Sequence, residues 1–211
     1  MTKKGILFDM DGTLINTYEN INFRQALSEL KTVQKTLILK ILKSRVRSFA
    51  EMETRILQEV EDPAEGKELV RRVSDFLLEH YDNAPVKKDA LMFLQYVKQK
   101  NYKICLCTNN ATEIVSHILR EKHMEAYFDY VITSQQVTRS KPDPQMYLEA
   151  LHNIDLTAEE CIVFEDTENG VMAARNAGID VIVVNDKEKR KYSDALMTIR
   201  DFGDYRLYQE F

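Results

Sequence analysis

The sequence predicts an α/β protein, a doubly wound parallel sheet that carries an inserted α-helical cap. Three observations lead there. A short apolar run, Gly5-Ile6-Leu7-Phe8, ends in the turn Asp9-Met10-Asp11-Gly12-Thr13, as a buried strand followed by a loop does. From about Pro85 onwards, apolar runs of strand length alternate with stretches of helical periodicity, the rhythm of a parallel sheet wound with helices. Between these parts lie roughly 65 residues with apolar positions at helical spacing alone. A structureless connection of that length is foreign to a compact domain, so a helical cap with its own core is expected.

The elements follow in chain order. In the insertion, Leu37, Ile41 and Leu42, then Ile56, Val60, Leu69, Val73, Phe76 and Leu77, recur at helical spacing, and Asp62-Pro63 separates two helices. Lys88 to Gln99 reads as a helix with Leu91, Leu94 and Val97 on one face. Lys103 to Cys107 reads as a strand, Ala111 to Glu121 as a helix, and Tyr130 to Thr133 as a short strand. Pro144 to His152 is a helix that tolerates proline at its start. Cys161 to Phe164 is a strand, Asn169 to Ala177 a helix stopped by Gly178, and Asp180 to Val184 a strand. The terminal DFGDYRLYQEF is expected to pack on the core; no kinase elements accompany its Asp201-Phe202-Gly203. The division that follows is a core of residues 1–16 and 85–211 and a cap of residues 17–84.

A chain of 211 residues can hold one sizeable core plus a small accessory domain. With 44% hydrophobic and 30% charged residues it has the profile of a soluble globular protein. A net charge of -5 gives no global reason to expect nucleic acid or an anionic membrane as partner. No apolar run approaches the roughly 20 residues that cross a bilayer, and the N-terminus lacks a signal peptide's apolar region and cleavage site. Three cysteines, Cys105, Cys107 and Cys161, do not make a disulfide framework; reduced, buried thiols and a cytosolic location are the expectation. A monomer is the default.

The chemistry gathers at strand ends. Four pieces stand there: Asp9-Met10-Asp11-Gly12-Thr13, Thr108-Asn109, Lys141-Pro142-Asp143-Pro144 and Glu165-Asp166. In open parallel sheets ligands sit beyond the carboxyl ends of the strands, so these pieces can form one pocket, with the cap over it. Asp9, Glu165 and Asp166 are hard oxygen ligands suited to magnesium. Thr108 can donate to a phosphate oxygen and Lys141 can neutralise its charge. A carboxylate nucleophile is repelled by an anionic ester, and a divalent cation between the two removes that repulsion. Asp9 would then attack phosphorus, while Asp11, two residues on, would protonate the leaving oxygen and later take a proton from water. Each piece alone has an ordinary reading as a surface turn, a helix cap, a solvated lysine or a charged loop. All four in this order after strands make that reading weak.

DMDGT, TN, the lysine of KPDP and VFEDTENGVMAARNAG resemble the haloacid dehalogenase superfamily of phosphohydrolases, over residues 1 to about 16 and about 85 to 186. The resemblance implies a Rossmann-like core, with Asp9 as nucleophile and Asp11 as general acid and base. It implies Mg²⁺ held by the Asp9 side chain, the Asp11 carbonyl and Asp166, with Glu165 in or near the metal shell. It implies that Thr108, the Asn109 backbone and Lys141 hold the phosphoryl group. The position and length of the insertion resemble the helical cap of the β-phosphoglucomutase-like and phosphoglycolate-phosphatase-like branch. The expected substrate is a small phosphorylated metabolite.

A β-phosphoglucomutase-type mutase carries a histidine early in its cap; here an ungapped match puts Ile21 there, between Asn20 and Asn22, which favours water as the acceptor. A dehalogenase lacks the second aspartate, so Asp11 argues against one, and the intact set of Asp9, Asp11, Lys141 and Asp166 argues against an idle binding module. From Lys31 to Ala50 there are six basic residues and no acid, either a solvated face or an attractive surface for phosphorylated substrates; Arg45 and Arg47 are the candidate substrate contacts. The histidines, His80, His117, His123 and His152, lie away from the motifs and are expected as surface or capping residues.

Overall fold

The computed structural model describes residues 3–17, 32–43, 49–184 and 195–211. Its centre is β1 (Gly5–Phe8), four residues that are all buried because the strand is covered on both faces and flanked on both edges. β2 (Lys103–Cys107) lies on one side and β4 (Cys161–Glu165) on the other, both parallel to it. β3 (Tyr130–Ile132), β5 (Asp180–Val184) and β6 (Met197–Ile199) extend the sheet to the order β3-β2-β1-β4-β5-β6, parallel throughout. The winding reverses at β1, which opens a crevice beyond the carboxyl ends of β1, β2 and β4.

Alternation along the strands sorts two apolar layers. Ile6, Phe8, Ile104, Leu106, Ile162 and Phe164 face one layer; Leu7, Cys105, Cys107, Cys161 and Val163 face the other. The first layer is closed by α4 (Ala90–Gln99) and α5 (Thr112–Glu121), the second by α6 (Gln145–Ile154) and α7 (Glu168–Asn176). The three cysteines are thus buried free thiols, and burial pushes Cys105 and Cys161 up to about 12. The C-terminal segment, with α8 (Leu207–Glu210), packs on the first layer through the buried Phe202 and Leu207.

The chain leaves β1 for α1 (Thr32–Lys43), α2 (Phe49–Glu59) and α3 (Pro63–Asn83), the described helices of the cap. They enclose a small core of their own around Ile38, Met52, Ile56 and Leu69. Asp62 caps α3, accepting from the Ala64 amide at 2.8 Å, and Pro63 opens the helix. The two linkers to the core bond to each other. Asn16 N donates to Pro85 O at 2.9 Å and Lys87 N to Leu14 O at 2.8 Å, with an antiparallel bridge between Ile15 and Val86.

The strands stand where the apolar runs put them, with one addition. β6, three residues that no apolar run marks in the sequence, pairs parallel with β5 and extends that edge of the sheet. The helix expected from Lys88 begins at Ala90 because Asp89 is held at φ 59 in a turn. Among the described residues no helix is long and apolar enough to cross a membrane.

Candidate active site

The strand ends converge. Asp9 follows β1, its amide bonded to Phe164 O at 2.9 Å, so the chain beyond β1 starts in register with β4. The loop then coils on itself: Leu14 N and Ile15 N both donate to Met10 O, and Gly12 donates to Ile15 O from φ 77, a conformation that suits glycine. This turn lifts Asp11, Gly12 and Thr13 over the strand end. Thr13 Oγ1 donates to Asp166 Oδ1 at 3.4 Å across the β1–β4 gap. One carboxylate oxygen from each of Asp9, Glu165 and Asp166 lies within 4.8 Å of the others.

Lys141, 2% exposed, is the hub of the buried side of the site. Its Nζ donates to Asp9 Oδ1 at 2.7 Å, to Glu165 Oε1 at 2.7 Å and to Cys107 O at 2.8 Å, so its three protons tie together the ends of β1, β4 and β2. Burial works against its charge, but the Asp9 and Glu165 carboxylates outweigh burial and push Lys141 well above its usual pKa. Glu165 is committed on both oxygens. Oε1 also accepts from Tyr147 OH at 3.1 Å, and Oε2 accepts from Asp166 N, Thr167 N and Thr167 Oγ1. A carboxylate offers about four lone-pair sites, and Glu165 already takes five donors. It stands beside the acidic cluster chiefly as the support of Lys141 and of the turn into α7.

Thr108 is buried at the end of β2, where its Oγ1 accepts from Asn110 N at 3.2 Å. That bond leaves the hydroxyl proton for another acceptor. Between them, Asn109 has a buried Oδ1 with no hydrogen-bond partner among the described residues. Arg45 and Arg47 lie outside the described residues, as do Asn20, Ile21 and Asn22. Of the basic stretch, Lys40 spends its charge within the cap, 2.7 Å from Glu59.

Residues outside the motifs also reach the site. Asp11 Oδ1 accepts from Tyr81 OH, and Asp11 Oδ2 from Asn110 Nδ2, each at 2.5 Å; Asn110 Nδ2 also donates to Tyr81 OH at 2.7 Å. Lys87, from the returning linker, donates to Gly12 O at 3.0 Å. His80 corrects an expectation. It is a buried residue, not a surface one, because the last turn of α3 runs against the core; its Nε2 donates to Thr17 O at 3.0 Å. Tyr81 and His80 sit at helical spacing where the sequence shows only a helix, and Asn110 is one place past the pair that the sequence marks.

The electrostatics ask for a cation. Burial first, then the Glu165 charge, push Asp9 well above the usual carboxylate range, against Lys141. The same two causes push Asp166 up to about 8. Burial raises Asp11 too, against hydrogen bonding from Tyr81, then Thr17 and Asn110. Carboxylates crowded out of water are stable in charged form only when positive charge is added. All-oxygen donors of this kind fit a hard divalent ion such as magnesium.

Residues 6–184 match the haloacid dehalogenase-like hydrolases. The chain is 32% identical over 188 residues to the phosphorylated carbohydrates phosphatase of Thermotoga maritima, covering 85% of this chain and 83% of that one. It is 28% identical over 186 residues to the pyrophosphatase PpaX of Bacillus mycoides, covering 85% and 82%. In fold it is similar to CbbY of Rhodobacter sphaeroides, solved in complex with phosphate, at a TM-score of 0.74, 22% identity and 96% coverage of both chains.

Proposed function

Because the chain belongs to the haloacid dehalogenase-like hydrolases, we propose that it is a Mg²⁺-dependent phosphatase that acts on a small phosphorylated metabolite through an aspartyl-phosphate on Asp9. Phosphoric monoester hydrolysis is the activity of its phosphatase relatives; a sugar phosphate or a phosphoglycolate-like acid is the substrate class we favour, on the likeness to the Thermotoga maritima enzyme. The observation that carries the reading is the Lys141 ammonium 2.7 Å from Asp9 Oδ1, beside carboxylates of Asp9, Glu165 and Asp166 that converge within 4.8 Å.

Asp9, Asp166 and the Asp11 carbonyl would hold the ion, with Glu165 next to them. Bound there, Mg²⁺ would screen the charge between carboxylate and ester and stabilise the equatorial oxygens. Thr108 binds and orients the phosphoryl group, and Lys141 neutralises its charge, turning one proton to it from one of its three present acceptors while it keeps Asp9 in place. Asp9 Oδ forms a bond to phosphorus as the ester P–O bond breaks, and the leaving oxygen takes that electron pair and the Asp11 proton. Water then attacks phosphorus, gives a proton to Asp11 and releases the Asp9 carboxylate with inorganic phosphate. The core of residues 1–16 and 85–211 carries this chemistry, and the cap of residues 17–84 covers it and selects the substrate.

The test is phosphate release from p-nitrophenyl phosphate with and without Mg²⁺, followed by a panel of sugar phosphates, phosphoglycolate and pyrophosphate. We expect release that requires Mg²⁺, falls by at least about 10³-fold in Asp9→Asn, and is greatest on a phosphate monoester of the panel. Full activity in Asp9→Asn would overturn the nucleophile assignment. A preference for pyrophosphate would overturn the substrate class.

A further inference from the structure

We propose that Tyr81 and Asn110 are positioning residues that hold the Asp11 carboxylate where it can give and take the proton of the reaction. The inference rests on the reading of Asp11 as general acid and base.

The observation is a closed ring of three hydrogen bonds. Asn110 Nδ2 donates one proton to Asp11 Oδ2 and the other to Tyr81 OH, and Tyr81 OH donates its own proton to Asp11 Oδ1. Both amide protons are spent, the phenol oxygen accepts one bond and donates one, and each carboxylate oxygen is gripped once. The Thr17 hydroxyl also favours the Asp11 charge, so at most two of the roughly four lone-pair sites of Asp11 remain, enough to carry a proton. An aspartate on a tight loop has two free torsions, and a grip on both oxygens fixes both.

The two grips come from elements that are themselves anchored. Asn110 is fixed through its carbonyl, which accepts from Ser134 N at 3.1 Å and Ser134 Oγ at 3.0 Å. Tyr81 lies in α3, a cap helix by chain order, yet the neighbouring residues tie it to the core. Asp82 Oδ1 pairs with His117 Nε2 at 2.8 Å, and Asp82 O accepts from Lys122 Nζ at 2.8 Å. The Tyr81 ring sits among buried core side chains. The base of α3 is therefore part of the platform that carries Asp11, whatever the far end of the helix does. Bringing a phenol, an amide and a carboxylate together out of water is costly unless the geometry is kept, and general acid catalysis is the function that needs a proton donor fixed to a fraction of an ångström.

The test uses two aryl esters of nearly the same shape. p-Nitrophenyl phosphate releases a phenolate that departs unaided, whereas phenyl phosphate releases one about as basic as tyrosine, with a pKa of about 10, which needs the proton. kcat/KM reports the step in which the leaving group departs. In saturating Mg²⁺, Tyr81→Phe keeps the ring and removes the hydroxyl, and Asn110→Ala removes the second grip. Each should lose about tenfold more kcat/KM on phenyl phosphate than on p-nitrophenyl phosphate, a fraction of what a general acid contributes. Added to Asp11→Asn, Tyr81→Phe should cost nothing further on phenyl phosphate. Equal losses on both esters, or the same loss with and without Asp11, would mean that Tyr81 only packs the core and would overturn the proposal. If Asp11→Asn itself fails to distinguish the two esters, the reading of Asp11 as the acid falls, and the proposal with it.

Discussion

Glu165 accepts five hydrogen bonds in a space that only a glycine opposite leaves open. A Cβ on Gly170 would come within 1.8 Å of the Glu165 carboxyl, a clash that no side-chain adjustment in a packed interior absorbs. Gly170→Ala should displace Glu165 and free Lys141 from one of its three acceptors. We expect kcat/KM on p-nitrophenyl phosphate to fall at least about tenfold and the protein to lose about 1–3 kcal/mol in urea denaturation; unchanged kinetics would show that Glu165 does not hold Lys141 in its working place. At this scale the gathering of Asp9, Asp11, Thr108, Lys141, Glu165 and Asp166 was legible because each sits in a short segment of unusual chemistry between the apolar run of a strand and the helix or loop that follows. Tyr81, Lys87, Asn110 and Tyr147 were not. An aromatic residue at helical spacing looks the same whether it fills a core or hands a proton to a carboxylate, and a linker lysine looks solvated until its carbonyl partner is known.

α3 shows how one helix serves two bodies. Its beginning belongs to the cap, where Asp62 accepts from the Ala64 amide and Leu69 is fully buried in the cap core. Its end, through Tyr81 and Asp82, is bonded to the core. Asp62→Ala should cost about 1 kcal/mol of stability, the usual value of an N-cap, while kcat/KM on p-nitrophenyl phosphate stays as it is. A loss of activity as large as that of Tyr81→Phe would show that the two ends of α3 do not act separately. The break at Asp62-Pro63 was visible in the sequence because aspartate and proline mark a helix start by known chemistry. The attachment of the other end was not, since it depends on α5, which follows about 30 residues later and meets α3 only in the fold.

For the whole molecule, the strand order puts β1 between β2 and β4, and that single fact brings segments remote in sequence to one crevice. Two linkers that bond to each other at Asn16–Pro85 and Leu14–Lys87 join the cap to the core beside the anchored base of α3, which leaves α1, α2 and the first turns of α3 to move as a lid. Hydrogen exchange in α2 and in the first turns of α3 should slow on adding Mg²⁺ with beryllofluoride, a mimic of a carboxyl-bound phosphoryl group; equal exchange with and without them would count against closure. The most direct measurement of the central claim is a crystal structure of the protein with both ligands. The account predicts beryllium bonded to an Asp9 carboxylate oxygen, Lys141 and Thr108 on the fluorides, and one Mg²⁺ shared by Asp9 and Asp166. A fluoride complex or an ion bound away from Asp9, or Asp9 and Asp166 facing different ions, would contradict it.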